Sequence, residues 1–551
     1  MTINSADDLN KQAREAALAA LSTLSVRPTS LVKYESAGVV AIIGDERTQQ
    51  VVAELQGALK PHLILDAGKA ADGIPYTSRR DRTVTVEGYL GNFTITLHGA
   101  GEEEAMRLDD TESLQADLVL DLSATPLLSM AVKPPGYVYS SMADDDRRSA
   151  VAQLSALTGT FEKPKYFDYN PAICAHGRSG IIACTRCIDA CPADAIKGLA
   201  EMIEVESHLC QGGGACATVC PSGAIRYVYP TTDDLLAQLR CLLKVYLEQG
   251  GQQPVLVFHA GGLMPAESCA ANLLPVAVEE LASVGLETWL SALAYGASSV
   301  LLVDDGTIPA RVSHEIDQQL VTVREILTAM HYPADAVRRV VTQWLHKEGD
   351  TQRAMPPIKT STFAGAGGKR QTVFMAIDAL YQQALAGSNG LPAPMVALTA
   401  GAPFGVAGID EKSCTLCLSC VSACPGNALQ SGQDVPQVRF IESNCLQCGL
   451  CTRTCPEDAI WITPRLVFDH QRRNQPVTLY EEEPFCCVAC GKPFASQSVI
   501  NNMVAKLAGH WMFTDDNAMR RLKMCEDCRV VDIVQDEEMM GKGIDTERIT
   551  H

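Results

Sequence analysis

Runs of apolar residues alternate with longer amphipathic stretches along this chain, and the pattern breaks only where cysteines crowd together. Between residues 31 and 160, GVVAIIGD predicts a strand, TQQVVAELQGAL a helix and HLILDAG a second strand. A β-rich passage, RTVTVEGYLGNFTITLHG, and the short run ADLVLDLS follow. The alternation returns in 233–345, with PVLVFHAG as strand, LLPVAVEELASVG as helix, SSVLLVDDG as strand and SHEIDQQLVTVREILTAM as helix. That order predicts a small parallel sheet with flanking helices. Residues 346–407, with Met355-Pro-Pro and an AGAGG run, read as a linker carrying one helix. The first 30 residues read as an amphipathic helix without the basic start, apolar core and cleavage site of a secretory signal.

At 551 residues the chain is too long for one ordinary core. Its apolar fraction of 47% is ample for burial, and the 5% aromatic content suits small α/β units better than a membrane protein. No apolar run reaches the length of a membrane span. The formal charge of −20 repels a phosphate backbone and argues against nucleic acid. It also suits docking to a basic patch on a partner, or simply keeps the protein in solution. Twenty-two cysteines without an export signal point to metal ligands in a reducing compartment, the cytoplasm, rather than to disulfides.

The sharpest pattern lies in 408–466. Cys414, Cys417, Cys420 and Cys424 precede Pro425 as C-x2-C-x2-C-x3-C-P, and Cys445, Cys448, Cys451 and Cys455 before Pro456 repeat it. In such runs three close thiolates wrap one cluster and the fourth reaches across to the other. One 4Fe–4S cluster is therefore expected on Cys414, Cys417, Cys420 and Cys455, and a second on Cys445, Cys448, Cys451 and Cys424. This segment resembles the two-cluster 4Fe–4S ferredoxin family over about 55 residues.

A less regular copy occupies 161–232. Cys184, Cys187 and Cys191 precede Pro192, but position 181 is Ile181, and Cys174 on the longer loop CAHGRSGIIAC is the expected substitute. In the second half Cys210, Cys216 and Cys220 are in place before Pro221, while Gly213 stands at the second ligand position. The same cross-over assigns one 4Fe–4S cluster to Cys174, Cys184, Cys187 and Cys220. It leaves Cys210, Cys216 and Cys191 as a three-thiolate site. That site has three outcomes: a 3Fe–4S cluster, a 4Fe–4S cluster with a non-cysteine ligand, or none. His176 and His208 lie near enough in sequence to ligate, but read as flanking groups.

The tail, 467–551, carries Cys487-x2-Cys490 and Cys525-x2-Cys528, a spacing that suits tetrahedral zinc, with rubredoxin-like iron or a fifth iron–sulfur site as rivals. It resembles a treble-clef zinc knuckle, with Cys486 a neighbour rather than a ligand. Cys241, among leucines, reads as a small apolar residue, and Cys269 as a loop cysteine. AGAGGKRQT fails the phosphate-loop test because Lys369 is followed by Arg370. AIIGDERT has too few glycines for a dinucleotide site.

The fold class expected is an α/β multidomain chain with two α+β ferredoxin-like two-cluster modules and a small C-terminal zinc-ribbon or treble-clef-like domain. Its 233–345 domain is expected to have a flavodoxin-like topology. The stretch from PVLVFHAG to GASSVLLVDD loosely resembles the small iron–sulfur subunit that links hydrogenases to heterodisulfide reductase. His259 and Asp304-Asp305 stand where that family has cysteines for a 2Fe–2S cluster. As a whole the chain is similar to large multi-cluster 4Fe–4S ferredoxin proteins of proteobacteria, on CAHGRSGIIACTRCIDACPADAI, GGGACATVCPSGAI and CTLCLSCVSACP. The resemblance implies an electron relay between redox partner proteins, a formate dehydrogenase among them. An oxidoreductase subunit with a site-differentiated cluster or an unrecognised flavin site, and an accessory protein for a metalloenzyme, are the other readings. The cofactors expected are three 4Fe–4S clusters, one 3Fe–4S or 4Fe–4S cluster and zinc.

Overall fold

A computed structural model describes residues 6–45, 48–55, 59–66, 70, 73–79, 82–99, 111–141, 144–261, 270–341, 354–365, 368–387, 390–433, 435–513 and 515–536. Cys269 and part of the AGAGG run lie outside the described residues. The chain divides into two units, Met1–Pro171 with Thr185–Pro392, and Ala172–Cys184 with Ala393–His551.

The first unit holds two parallel sheets. In the first sheet, five parallel strands lie in the order Tyr76–Ser78, Lys60–Leu65, Val39–Gly44, Leu118–Asp121, Tyr137–Tyr139. Both faces of a parallel sheet must be covered, and the period of two decides which residue meets which cover. Val40, Ile42, Leu63 and Leu65 face the helices Thr48–Glu54 and Asp144–Ser155 through Val51, Val52, Ala150 and Leu154. Ala41, Ile43 and Ile64 face Phe93, Ile95 and Leu97 of an antiparallel meander, Arg82–Tyr89, Asn92–Gly99 and Thr111–Ala116. Each fully buried Ile or Leu here contributes ~1.5–3 kcal/mol.

The second sheet runs Leu273–Val278, Val255–Ala260, Ser299–Asp304, Val337–Val341, again all parallel. Its edge strand Leu273–Val278 corrects the helix expected for LLPVAVEELASVG: Pro275 breaks a helix interior but is tolerated on a sheet edge. Its helices include Thr232–Glu248, Leu286–Ala294 and Ala310–Ala329. The stretch read as a linker is anchored to this domain. Met355 N–H donates to the Ser298 carbonyl at 2.7 Å and Ser361 N–H to that of Ala294 at 2.9 Å. The helix Lys369–Ala386 buries Val373, Ala376, Ile377 and Leu380. Apolar spacing inside that helix, hidden behind the Gly-rich run, is the reason it is more than a tether. No described helix is long and apolar enough to cross a membrane.

In the second unit the antiparallel pairs Gly405–Ile409 with Ile460–Val467, and Leu429–Ser431 with Gln437–Phe440, flank the short helices Ser419–Ala423 and Leu450–Thr454. The hairpin Gly177–Arg178/Ile181–Ile182 belongs to the same unit. Arg453 Nη1 donates to the Ile182 carbonyl at 2.6 Å and Arg178 Nη1 to that of Cys424 at 3.4 Å. The tail adds the hairpin Pro484–Cys486/Pro493–Ser496 and the helices Gln497–Leu507, Asp516–Arg521 and Glu526–Gln535. Ser496 ties it down, accepting from Val499 N–H at 3.2 Å as a helix cap and donating to the Thr415 carbonyl at 2.9 Å.

Candidate metal centres

All four cysteine runs end on one local design, readable as CPADA, CPSGA, CPGNA and CPEDA. Proline stops the short helix, and the third residue after the cysteine turns left-handed: Asp194 at φ 46°, Gly223 at 73°, Asn427 at 51°, Asp458 at 48°. Asp, Asn and Gly are the residues that tolerate that conformation. The turn aims the next amide at the sulfur. Ala195 N–H donates to Cys191 Sγ at 3.4 Å, Ala428 to Cys424 at 3.2 Å and Ala459 to Cys455 at 3.3 Å. At Cys220 the neighbour is Ser222 Oγ, 3.6 Å away. All four alanines are buried, so a larger side chain has no room. Amide donors favour a thiolate over a thiol and hold it in place before any metal arrives.

In the second unit these turns bring the cysteines to two cavities. Cys414, Cys417, Cys420 and Cys455 line one, and Cys424, Cys445, Cys448 and Cys451 line another, each of about 20 Å³. Burial pushes the Cys420 thiol up to about 12, with Cys414, Cys417 and Cys455 adding to it. Burial likewise raises Cys451, reinforced by Cys448, Cys445 and Cys424. Each fourth cysteine thus acts on the opposite trio. Cys448 is pushed up to about 11, chiefly by burial, with Cys424, Cys445 and Cys184 contributing. Cys184 therefore stands close to this set.

Cys191, Cys210 and Cys216 line a third recess, of about 80 Å³, within the first unit. Burial raises Cys216 well above an ordinary thiol, and Cys210 and Cys191 add to the shift. Gly213 lines the same recess. Cys187 and Cys220 are buried in the first unit, while Cys174 and Cys184 belong to the second, and that set is carried by spacing alone. His208 is committed elsewhere. Its Nδ1 meets Glu206 at 2.8 Å and its ring stacks on Tyr89 at 4.2 Å. His176 is buried with Nδ1 at 2.8 Å from the Cys184 carbonyl, and neither histidine lines the recess.

Lys163 escaped the sequence reading, being 47 residues from Cys210, with nothing local to mark it. Its Nζ donates to the carbonyls of His208 at 2.8 Å and Cys210 at 2.5 Å, and lies 5.1 Å from the Tyr34 ring centroid. Burial pushes its ammonium down to about 8, against the pull of Cys210 and Glu206.

The tail gathers Cys487, Cys490, Cys525 and Cys528, with their sulfurs all within 4.8 Å of one another. A knuckle turn holds the first pair, in which Gly491 (φ 72°) donates to the Cys487 carbonyl at 2.9 Å. Burial opposes charge on Cys487, but the amides of Cys525, Cys490 and Ala489 draw its thiol down to about 6. Cys486 is exposed and outside the cluster, and Cys241 is half-buried. His259 is buried, and Asp304 lies 3.7 Å from Arg339.

Residues 413–459 are similar to the 4Fe-4S dicluster domain family. Residues 203–226, which include Cys210, Gly213, Cys216 and Cys220, match the 4Fe-4S binding domain family. The chain thus contains two ferredoxin-type 4Fe–4S domains within a mixed α/β architecture, and these support an iron–sulfur electron-transfer role. No curated protein matches the chain.

Proposed function

We propose that the protein relays electrons through about four iron–sulfur clusters between redox partners. Cys414, Cys417, Cys420 and Cys455 would hold one 4Fe–4S cluster, and Cys445, Cys448, Cys451 and Cys424 a second. Cys174, Cys184, Cys187 and Cys220 make the third set. Cys210, Cys216 and Cys191 would hold a 3Fe–4S or 4Fe–4S cluster. The observation that carries this reading is the shared proline turn, with its left-handed third residue, at all four runs. The effect of Cys184 on Cys448 supports continuity, because it puts a thiol of the third set beside the second. The four tail thiols suit zinc in a structural site, their amide donors favouring the thiolate that a metal requires. No disulfide joins the described cysteines, which fits a reducing, cytoplasmic setting. A formate dehydrogenase is the partner we place first, on the family resemblance.

The test is anaerobic. The dithionite-reduced chain should hand about four electrons to an acceptor dye without turning over a substrate, and Cys445→Ala should lower that number by about one. A chain that takes up no electrons would refute the relay. Immobilised holoprotein that fails to retain formate dehydrogenase activity from a soluble extract would remove that partner.

A further inference from the structure

Gly213 occupies a cluster-ligand position with the backbone of a ligand. At Cys417 the flanking residues Leu416 and Leu418 have φ of 54° and 61°, and at Cys448 the flanking Gln447 and Gly449 have 52° and 79°. Around Gly213 the same left-handed pair recurs, Gly212 at 80° and Gly214 at 73°. Gly214 starts the helix Ala215–Val219 as Gly449 starts Leu450–Thr454. The loop is therefore the regular one with a single thiol removed. A Cβ built on Gly213 meets only Pro192, at 3.8 Å and 4.0 Å, which is ordinary contact. Nothing has moved in to take the place of the side chain.

The surroundings differ from the regular sites in size. The recess at Gly213 is the larger, about 80 Å³ against about 20 Å³ at each of the two complete sets. The added wall comes from outside the cysteine loops: Leu281, Ala282, Ile308, Pro309 and Val312. Leu281, Ala282 and Val312 are buried. Besides the three cysteines, the lining side chains with a donor atom are Gln211 and Glu280. Gln211 Nε2 is turned to the Leu209 carbonyl at 3.0 Å, and Glu280 is an exposed residue.

We infer that the cluster on Cys191, Cys210 and Cys216 keeps one exchangeable iron corner, and that the recess beside Gly213 admits a small aliphatic thiol to it. An iron held by sulfide and thiolate favours a soft donor, and apolar walls favour a neutral carbon body over a charged one. On ligation the thiol gives its proton to solvent and its sulfur takes the open position, with no change in iron oxidation state. The inference rests on the proposal that this set binds a cluster, and it makes the irregular module a ligand sensor or reaction site as well as a relay.

The experiment uses the full-length, anaerobically reconstituted holoprotein, reduced and monitored by electron paramagnetic resonance. 1-Propanethiol should shift the g-values of the irregular cluster, 1-propanol should not, and thioglycolate should need at least about ten times the concentration, since burying a charge is costly. Gly213→Cys should abolish the shift by supplying the fourth thiolate. Gly213→Ala, equally easy to accommodate, should retain it, separating ligation from bulk. Glu280→Gln should leave the thiol response in place. The inference fails if propanethiol leaves the native signal unchanged, or if Gly213→Cys responds as the native chain does. It fails too if a 3Fe–4S signal persists after added ferrous iron, or if Glu280→Gln alone reproduces the thiol-shifted spectrum. The signals from the regular module are the internal reference: if they are present, such a failure overturns the corner alone. If they are absent, the relay reading falls with it.

Discussion

Lys163→Met removes a positive charge that the fold holds against the backbone of Cys210, a proposed cluster ligand. The ammonium is half-buried and hydrogen-bonded to the carbonyl of Cys210 itself, so a cluster held by that residue, as proposed, would sit roughly 7 Å away. Reduction adds a negative charge to the cluster, and a nearby cation stabilises the reduced form. With an effective dielectric of ~20 and that separation, Coulomb's law gives ~2.4 kcal/mol. At 59 mV per tenfold change for one electron this is ~100 mV. Lys163→Met should therefore lower the midpoint potential of the irregular cluster by ~100 mV, with Lys163→Arg close to native, since the charge survives. The assay is a potentiometric titration followed by electron paramagnetic resonance, with the regular module's clusters as reference. Potentials within ~20 mV of native, or an equal fall in Lys163→Arg, would refute the electrostatic reasoning.

Other expectations follow from the same geometry. Cys424→Ala should weaken the cluster on Cys445, Cys448 and Cys451 and spare the one on Cys414, Cys417 and Cys420, as iron content and resonance signals would show. The reverse pattern would mean that the fourth cysteines do not cross over. Cys525→Ala should abolish the zinc binding proposed for the tail, as elemental analysis would read it, and speed proteolysis within 484–536, because the cluster of Cys487, Met524 and Cys525 is that segment's small core. Iron content should stay unchanged. Ile42→Ala, at a fully buried position between the sheet and its helices, should cost ~2–5 kcal/mol in denaturant unfolding of the first unit. The cluster spectra should be native at low denaturant.

Much of the design is written locally. The cysteine spacing leads straight to the two cavities in the regular module, because three ligands within a seven-residue loop and a proline leave the chain few paths. The repeated C-P-x-x-A turn was equally visible in CPADA, CPSGA, CPGNA and CPEDA, and its left-handed third residue could have been inferred from the Asp, Gly and Asn found there. Apolar runs marked the strands Val39–Gly44, Lys60–Leu65, Leu118–Asp121, Val255–Ala260 and Ser299–Asp304, since fully buried centres admit little else, whereas LLPVAVEELASVG, expected as a helix, gives the edge strand Leu273–Val278. What stayed hidden depends on residues far apart in sequence. Lys163 reaches Cys210 across an antiparallel strand pair, Leu31–Ser36 with Gly159–Pro164, that no local pattern announces. The apolar wall beside Gly213 comes from a loop and a helix about 70–100 residues downstream, so a missing thiol was legible but the space around it was not. The one helix expected in 346–407 is present as Lys369–Ala386, but its buried face, set by Val373, Ala376, Ile377 and Leu380, shows only against its neighbour.

We propose a relay of about four cysteine-held clusters. It is tested most directly by a spin-quantified redox titration of the anaerobically purified protein, with iron, sulfide and zinc counted on the same sample. About four one-electron centres, about 15–16 irons and one zinc per chain are expected. About eight irons, with redox activity confined to the regular module, would contradict it.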